Sequence, residues 1–259
     1  DGDELAGLDD EVVVAQHLGN AGSGFGERLG VGAALGGQRV TGLEGEGRGG
    51  RASMPQACID PVVLAASIVL RLQGIVSREI DPAEPAVVTV GSITAGTKAN
   101  IIADQAELQI NIRTYSESTR ATILAAIRRI VTGECAVSNS PREPDFEMFD
   151  RAPLTDNDSD VTEMVTEVFA DIFGDARVIE PPRLMGSEDF SDIANGVNAP
   201  YTFWLFGGAD PAAFDAASTG TIPAGLPVNH SPHYAPVIQP TLDTGTAALV
   251  AAALRWLAR

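Results

Sequence analysis

Only three histidines occur in the 259 residues, and two of them share one loop, Asn229-His230-Ser231-Pro232-His233. Imidazole is the commonest metal ligand and the ordinary proton carrier near neutral pH. The third, His17, follows the apolar run Val12 to Ala15, which reads as a short buried strand. Strand ends are where α/β enzymes gather working groups, because loops converge there on a shared crevice. His17 and His230 are therefore candidate metal ligands, set against the plainer reading of a histidine as a surface or hydrogen-bonding residue. Ser187-Glu188-Asp189-Phe190 pairs two carboxylates at a helix start. They either satisfy free backbone N–H groups and the helix dipole, or Glu188 orients a ligand or tunes a metal without binding it. Asn100 and Arg113 flank a turn and a strand. A guanidinium there can grip a carboxylate by two parallel hydrogen bonds, with the Asn amide adding a donor to the same ligand. The plainer alternative is a solvated sheet face.

Other chemistries are excluded or unsupported. Gly45, Gly47 and Gly50 match G-x-G-x-x-G, but a dinucleotide fingerprint opens a helix directly, and the helix here starts only at Pro61. The residue roughly twenty positions on is Leu70 rather than an acid. No G-x-S-x-G elbow offers a nucleophilic serine. Cys58 and Cys135 are too few and too isolated for a cysteine zinc site. With 35 acidic and 17 basic residues the chain carries a net charge of −18, which repels nucleic acid and anionic lipid. The longest strongly apolar run, Pro61 to Leu70, is too short for a bilayer and ends at Arg71, so no membrane association is expected. The acidic start, Asp1 to Val14, lacks the order of a secretory signal, and the cytoplasm is the expected compartment.

The elements that must position these residues fall into three stretches. Residues 1–37 carry little signal beyond the Val12 to Ala15 strand. From Gln38 to Met148 the pattern reads strand, helix, strand, strand, helix, strand. Asp60 caps a helix with Pro61 at its first position, and Val62, Ala65, Ala66, Val69, Leu72 and Val76 recur at helical spacing over about five turns. Ala86 to Ile93 is a β-branched strand, and Leu108, Ile110 and Ile112 alternate with polar residues on a second. Ser116 caps a helix whose stripe is Ile123, Leu124, Ile127, Ile130 and Val131. Two helices on one face of a small antiparallel sheet resemble the split β-α-β arrangement. Residues 149–259 hold a helix capped by Asn157 or Asp158 and closed by Gly174. A short helix at Ser187, a buried strand Tyr201 to Phe206, and a terminal helix with Leu242, Leu249, Val250, Ala253, Leu254 and Leu257 follow. The outer stretches read as one layered α/β domain into which the middle one is inserted.

These segments stand in an order that resembles the M20 metallopeptidases and amidohydrolases, especially the branch of hippurate and N-acyl-amino-acid hydrolases. The resemblance runs through Gly49-Gly50-x-x-Ser53-Met54-Pro55, Asp60-Pro61-Val62, Ala95-Gly96-Thr97-x-x-Asn100-x-Ile102, Ile112-Arg113, Ser187-Glu188-Asp189-Phe190 and Asn229-His230-Ser231-Pro232. It implies an α/β fold: part of a zinc-peptidase-like catalytic domain, residues 1–37 and 149–259, interrupted by a small α+β ferredoxin-like lid over 38–148. The lid would mediate homodimerisation. It implies hydrolysis of a small-molecule amide by two divalent ions, zinc, manganese or cobalt, with a glutamate base. His17 and His230 would be metal ligands, Asn100 and Arg113 would hold the substrate's carboxylate or carbonyl, and Glu188 would support. Two features depart from the family. Arg51 stands where the family has a histidine thought to stabilise the oxyanion of the neighbouring site, and a longer, permanently charged side chain is no conservative replacement. The remaining metal ligands and the base belong to a segment expected before Asp1. The alternative reading is a non-catalytic remnant that dimerises or binds carboxylates.

Overall fold

The computed structural model describes residues 13–14, 25–33, 50–179, 189–210, 212, 227 and 231–258. The chain divides into two compact units. One comprises Ser23–Leu154 with Met185–Asp189, and the other Asp1–Gly22, Thr155–Leu184 and Phe190–Arg259.

In the first unit, four antiparallel strands form one sheet. In chain order the unit's elements are β2 (Phe25–Ala33), β3 (Gly50–Arg51), α1 (Pro61–Leu72), α2 (Gly74–Glu79), β4 (Ala86–Ala95), β5 (Ile101–Ile102), β6 (Ala106–Thr114), α3 (Glu117–Val137) and β7 (Asp145–Ala152). The sheet order is β4-β6-β2-β7. Taken with α1 and α3, this is the split β-α-β layout expected, with one change. Its first strand was expected after Gln38, but the structure places it at Phe25–Ala33, inside the stretch assigned to the other domain. Strand β2 pairs with β6 along its whole length and with β7 on its other side. Three glycines dilute its alternation, so its sequence reads weakly as a strand although its backbone supplies two ladders.

Periodicity located the helices better than their faces. Asp60 Oδ1 accepts from Val62 N at 2.9 Å, and Ser116 Oγ accepts from Thr119 N at 3.1 Å, so both caps are as expected. Residues Leu64, Ala65, Ile68 and Leu72 of α1 and Ile75 of α2 enter the core, where they meet Leu108, Ile110, Ile112, Ile123, Ile127 and Val131. The expected face, by contrast, included Val62, which is 50% exposed. Helix α1 is apolar nearly all round, and a pattern hydrophobic on every side does not select the buried one. The helix also stops at Leu72, with α2 starting afresh at Gly74, instead of running five turns. Together Pro61–Glu79 is long and apolar enough, by length and composition alone, to cross a membrane, which the shorter run weighed above is not. One face of that stretch is nonetheless buried in the core.

The second unit has a three-stranded sheet, β8-β1-β9, in which β1 (Val13–Val14) pairs parallel to β8 (Val178–Ile179) and antiparallel to β9 (Leu205–Phe206). Among the described residues it has the helices α4 (Ser159–Phe173), α5 (Phe190–Gly196) and α6 (Thr241–Leu257). Helix α4 buries Val165, Phe169 and Phe173 along one side. Asp158 is its cap, accepting from Val161 N at 3.0 Å. Asn157 instead bridges the Phe203 backbone, donating from Nδ2 to its carbonyl at 2.9 Å and accepting from its N–H at 2.8 Å. Gly174 closes the helix at φ 86, a backbone region that favours glycine.

Two expectations fail in this unit. Only Leu205–Phe206 of the stretch from Tyr201 is ladder-paired, and both are exposed rather than buried. The buried face of α6 is Thr244, Gly245, Ala248 and Ala251, while Leu242, Leu249, Val250, Leu254 and Leu257 are exposed. Close approach explains the choice of small residues: a Cβ on Gly245 would lie 2.9 Å from the Phe206 ring.

Candidate functional site

The segments carrying Arg51 and Asn100 meet through a short ladder. Strand β3 pairs antiparallel with β5, Gly50 opposite Ile102 and Arg51 opposite Ile101. Beyond the ladder, Ala52 N donates to the Asn100 carbonyl at 3.2 Å, and Ile101 N donates to the Lys98 carbonyl at 3.2 Å, closing the turn that carries Asn100. Arg51 and Asn100, far apart in sequence, are therefore neighbours along the backbone. Asn100 is exposed. Gly96, at φ 68, lets the chain turn out of β4 into this loop. A cavity of about 460 Å³ opens beside it, lined among others by Thr94, Gly96, Thr97, Ile101, Asp104 and Gln105. That volume lies in the range of small-molecule sites. Thr97, Asp104 and Gln105 were not singled out from sequence, although they flank the Asn100 motif and carry hydrogen-bonding groups.

Arg113 lies elsewhere. It sits near the far end of β6, opposite Val87 on β4 and Gly26 on β2. Its Nε donates to Asn111 Oδ1 at 2.9 Å, and the side chain is half-buried. Asn100 precedes the start of β6, whereas Arg113 is seven residue steps beyond Ala106, about 23 Å of extended strand. The two side chains of one chain do not converge, so the single clamp expected from their closeness in sequence is corrected to two separate positions. Thirteen residues look near in sequence, but a strand spends most of its length in translation.

Of the metal-site candidates, His17, His230 and Glu188 lie outside the described residues. Beyond His230, Ser231 to Tyr234 form a turn closed by Tyr234 N donating to the Ser231 carbonyl at 3.0 Å, and His233 is exposed. Among the described residues, no group of three or more His, Cys, Asp or Glu is placed to hold a metal ion. The two candidate imidazoles fall short of the three or four protein ligands that a zinc centre takes. The donors assigned to this chain therefore do not by themselves fit a two-metal site.

Residues 36–138 match the M20 peptidase dimerisation domain. The chain belongs to the M20 peptidase family. It is 33% identical over 213 residues to an IAA-amino acid hydrolase of Arabidopsis thaliana, a match covering 82% of this chain and 45% of that protein. Thermostable carboxypeptidase 1 of Saccharolobus solfataricus is 36% identical over 161 residues, covering 62% of this chain and 39% of that protein. The chain thus spans less than half the length of these curated relatives. A crystal structure from Bacillus subtilis, described as a dinuclear metal-binding peptidase of the M20 family, superposes with a TM-score of 0.57 at 18% identity. That superposition covers 95% of this chain and 55% of the other, and it shows the mixed helix-and-strand M20 fold. Relatives of this M20 chain are hydrolases of amide bonds.

Proposed function

We propose that this chain serves a metal-dependent amidohydrolase that cleaves N-acyl amino acids or similar small amides, and that two copies pair through the dimerisation domain. The match to the IAA-amino acid hydrolase carries the reading, because it extends over both units of the chain. In this reading His17 and His230 donate to divalent ions, zinc, manganese or cobalt, in a centre that takes further ligands beyond these two. Asn100 and Arg113 contact the substrate's carboxylate or carbonyl as two independent donors, and Glu188 has a supporting part. Arg51, neighbouring Asn100 along the ladder, brings a permanent cation to the same loop pair. A second reading, a non-catalytic chain that dimerises or binds carboxylates, is favoured by the small number of imidazoles, three in all.

Metal content separates the two. The purified chain is equilibrated with zinc, manganese or cobalt, free ion is removed, and bound metal is counted per chain. Retention that falls on His230→Ala and on His17→Ala, together with release of a free amino acid from an N-acyl amino acid, supports the enzyme. No retained metal would remove both histidines as working ligands of this chain and leave the non-catalytic reading.

A further inference from the structure

The cations of this chain are unevenly placed. Of its 17 basic residues only one is a lysine, Lys98, and it stands in the turn that carries Asn100. That turn is closed by Ile101 N donating to the Lys98 carbonyl, and Ile101 is the ladder partner of Arg51. A closed turn brings its ends within about 7 Å, and a ladder pair stands about 5 Å apart. The two cationic residues are therefore rooted within about 12 Å of one another. Lys98 is exposed and forms no ion pair among the described residues.

The sequence around both is free of acids. Residues 47–59 and 85–103, which hold β3, β4, β5 and the Asn100 turn, contain Arg48, Arg51 and Lys98 but no aspartate or glutamate, in a chain of 35 acidic residues. A net charge of −18 repels small anions from most of the surface, so an acid-free island that carries cations is where an anionic ligand is drawn. The cavity beside the turn gives such a ligand room. Thr94 and Thr97 bring hydroxyls to its lining and Gln105 an amide, while Asp104 is the one acid there and turns carboxylates toward the Thr97 and Lys98 side. Arg113 serves no part of this anion, because it stands about 23 Å along β6 from the start of that strand.

At the position of Arg51 the M20 pattern has a histidine, whose imidazole is neutral for much of the working pH range. Arginine is always charged, and here it is joined by an ammonium and by the Asn100 amide. Two cations and one amide match two carboxylates and one carbonyl. We propose that Arg51 and Lys98 are specificity-determining residues that select N-acyl amino acids with a second carboxylate on the side chain, N-acyl aspartate or N-acyl glutamate. The proposal rests on the amidohydrolase reading above and names the substrate class of the same site.

Calorimetric titration of the metal-free, full-length chain with N-acetyl-L-glutamate and with N-acetyl-L-glutamine tests it, since the two compounds differ in one charge and little else. The glutamate compound is expected to bind ~10-fold more tightly or better, the difference that a charge-assisted contact supplies. Its affinity should fall as NaCl is raised, and that of the glutamine compound much less. Arg51→Gln and Lys98→Gln should each remove most of the preference and leave N-acetyl-L-glutamine binding little changed. Arg51→His at about pH 8, where imidazole is neutral, should behave like Arg51→Gln. Lys98→Gln alters an exposed side chain and decides the matter should a change at Arg51 disturb the ladder. No measurable binding of N-acetyl-L-glutamate, equal binding of the two compounds, or a preference that survives both substitutions would overturn the proposal. So would tighter binding of N-succinyl-L-alanine, which moves the second carboxylate to the acyl side. Binding is read without metal or turnover. A chain that retains metal and releases amino acids only from neutral N-acyl compounds would sink this selectivity and leave the amidohydrolase reading standing. A chain that prefers the dianion yet retains no metal would do the reverse.

Discussion

The two units bury apolar surface on different scales. Among the described residues, the first unit closes a core of fourteen between α1, α2, α3 and one face of its sheet, including Ile68, Ile75, Ile110 and Ile127 at 0% exposure. Among the described residues the other unit gathers four, Val165, Phe169, Phe173 and Ala248, with aromatic contacts around them. Phe169 meets Phe173 and Trp204 edge to face at centroid distances of 5.9 and 5.4 Å. Around that small core Leu205, Phe206 and the long apolar stripe of α6 stay exposed. The first unit pairs four long strands, β4-β6-β2-β7, in one sheet whose inner layer its helices cover. Among the described residues of the second unit, two-residue strands pair in the sheet and a few large rings anchor the helices instead.

That contrast can be broken by truncating one residue in each core. Phe169→Ala is expected to cost about 3–5 kcal/mol and Ile127→Ala about 2–5 kcal/mol. In urea, Phe169→Ala should shift the fluorescence change of Trp204, and Ile127→Ala should expose the lid to protease. If Phe169→Ala loosened the lid equally, the two units would be one cooperative block. In the unaltered chain, residues from Ser23 to Leu154 are expected to outlast the remainder under limited proteolysis.

A smaller effect sharpens the comparison within the second unit. Asp158→Ala removes the cap of α4 and is expected to lower stability by about 1 kcal/mol. Asn157→Ala, which leaves the Phe203 backbone amide without its acceptor, should cost a similar or larger amount. Equal stability of Asp158→Ala and the unaltered chain in urea titration would count against the cap.

The smallest expected effect belongs to Cys135 on α3. Burial, and then the carboxylates of Glu143 and Glu134, push its thiol above the usual value. Above pH ~8.5 the unfolded chain loses this proton while the folded chain keeps it. Stability from this group is therefore full below the unfolded value and declines as pH rises past it. Alkylation at pH 8.5 should accordingly be slower at Cys135 in the folded chain than after unfolding in urea. Equal rates would show that the thiol is not protected.

Much of this architecture was legible in the residue order. Asp60-Pro61 and Ser116 announced helix starts because a short polar side chain and a missing N–H each suit one end of a helix. Leu108, Ile110 and Ile112 marked the inner face of β6, since alternation has only one meaning on a pleated strand. For α4, Gly174 marked the end, while the start was left between Asn157 and Asp158. At the candidate site, the sequence supplied the identities of Arg51, Asn100 and Arg113. The ladder that makes the first two neighbours involves residues some fifty positions apart, and no local pattern encodes such a contact.

The sequence by itself determined where α1, α3 and α4 start and where β4 and β6 run, because caps and period are local properties of the chain. Only the tertiary structure decided which apolar face of α1 and of α6 turns inward, that Phe25–Ala33 completes the lid sheet, and that Asn100 and Arg113 stand at opposite ends of β6. The reason is physical: a side chain is buried by what lies opposite it, and what lies opposite is settled by pairings made over long stretches of chain.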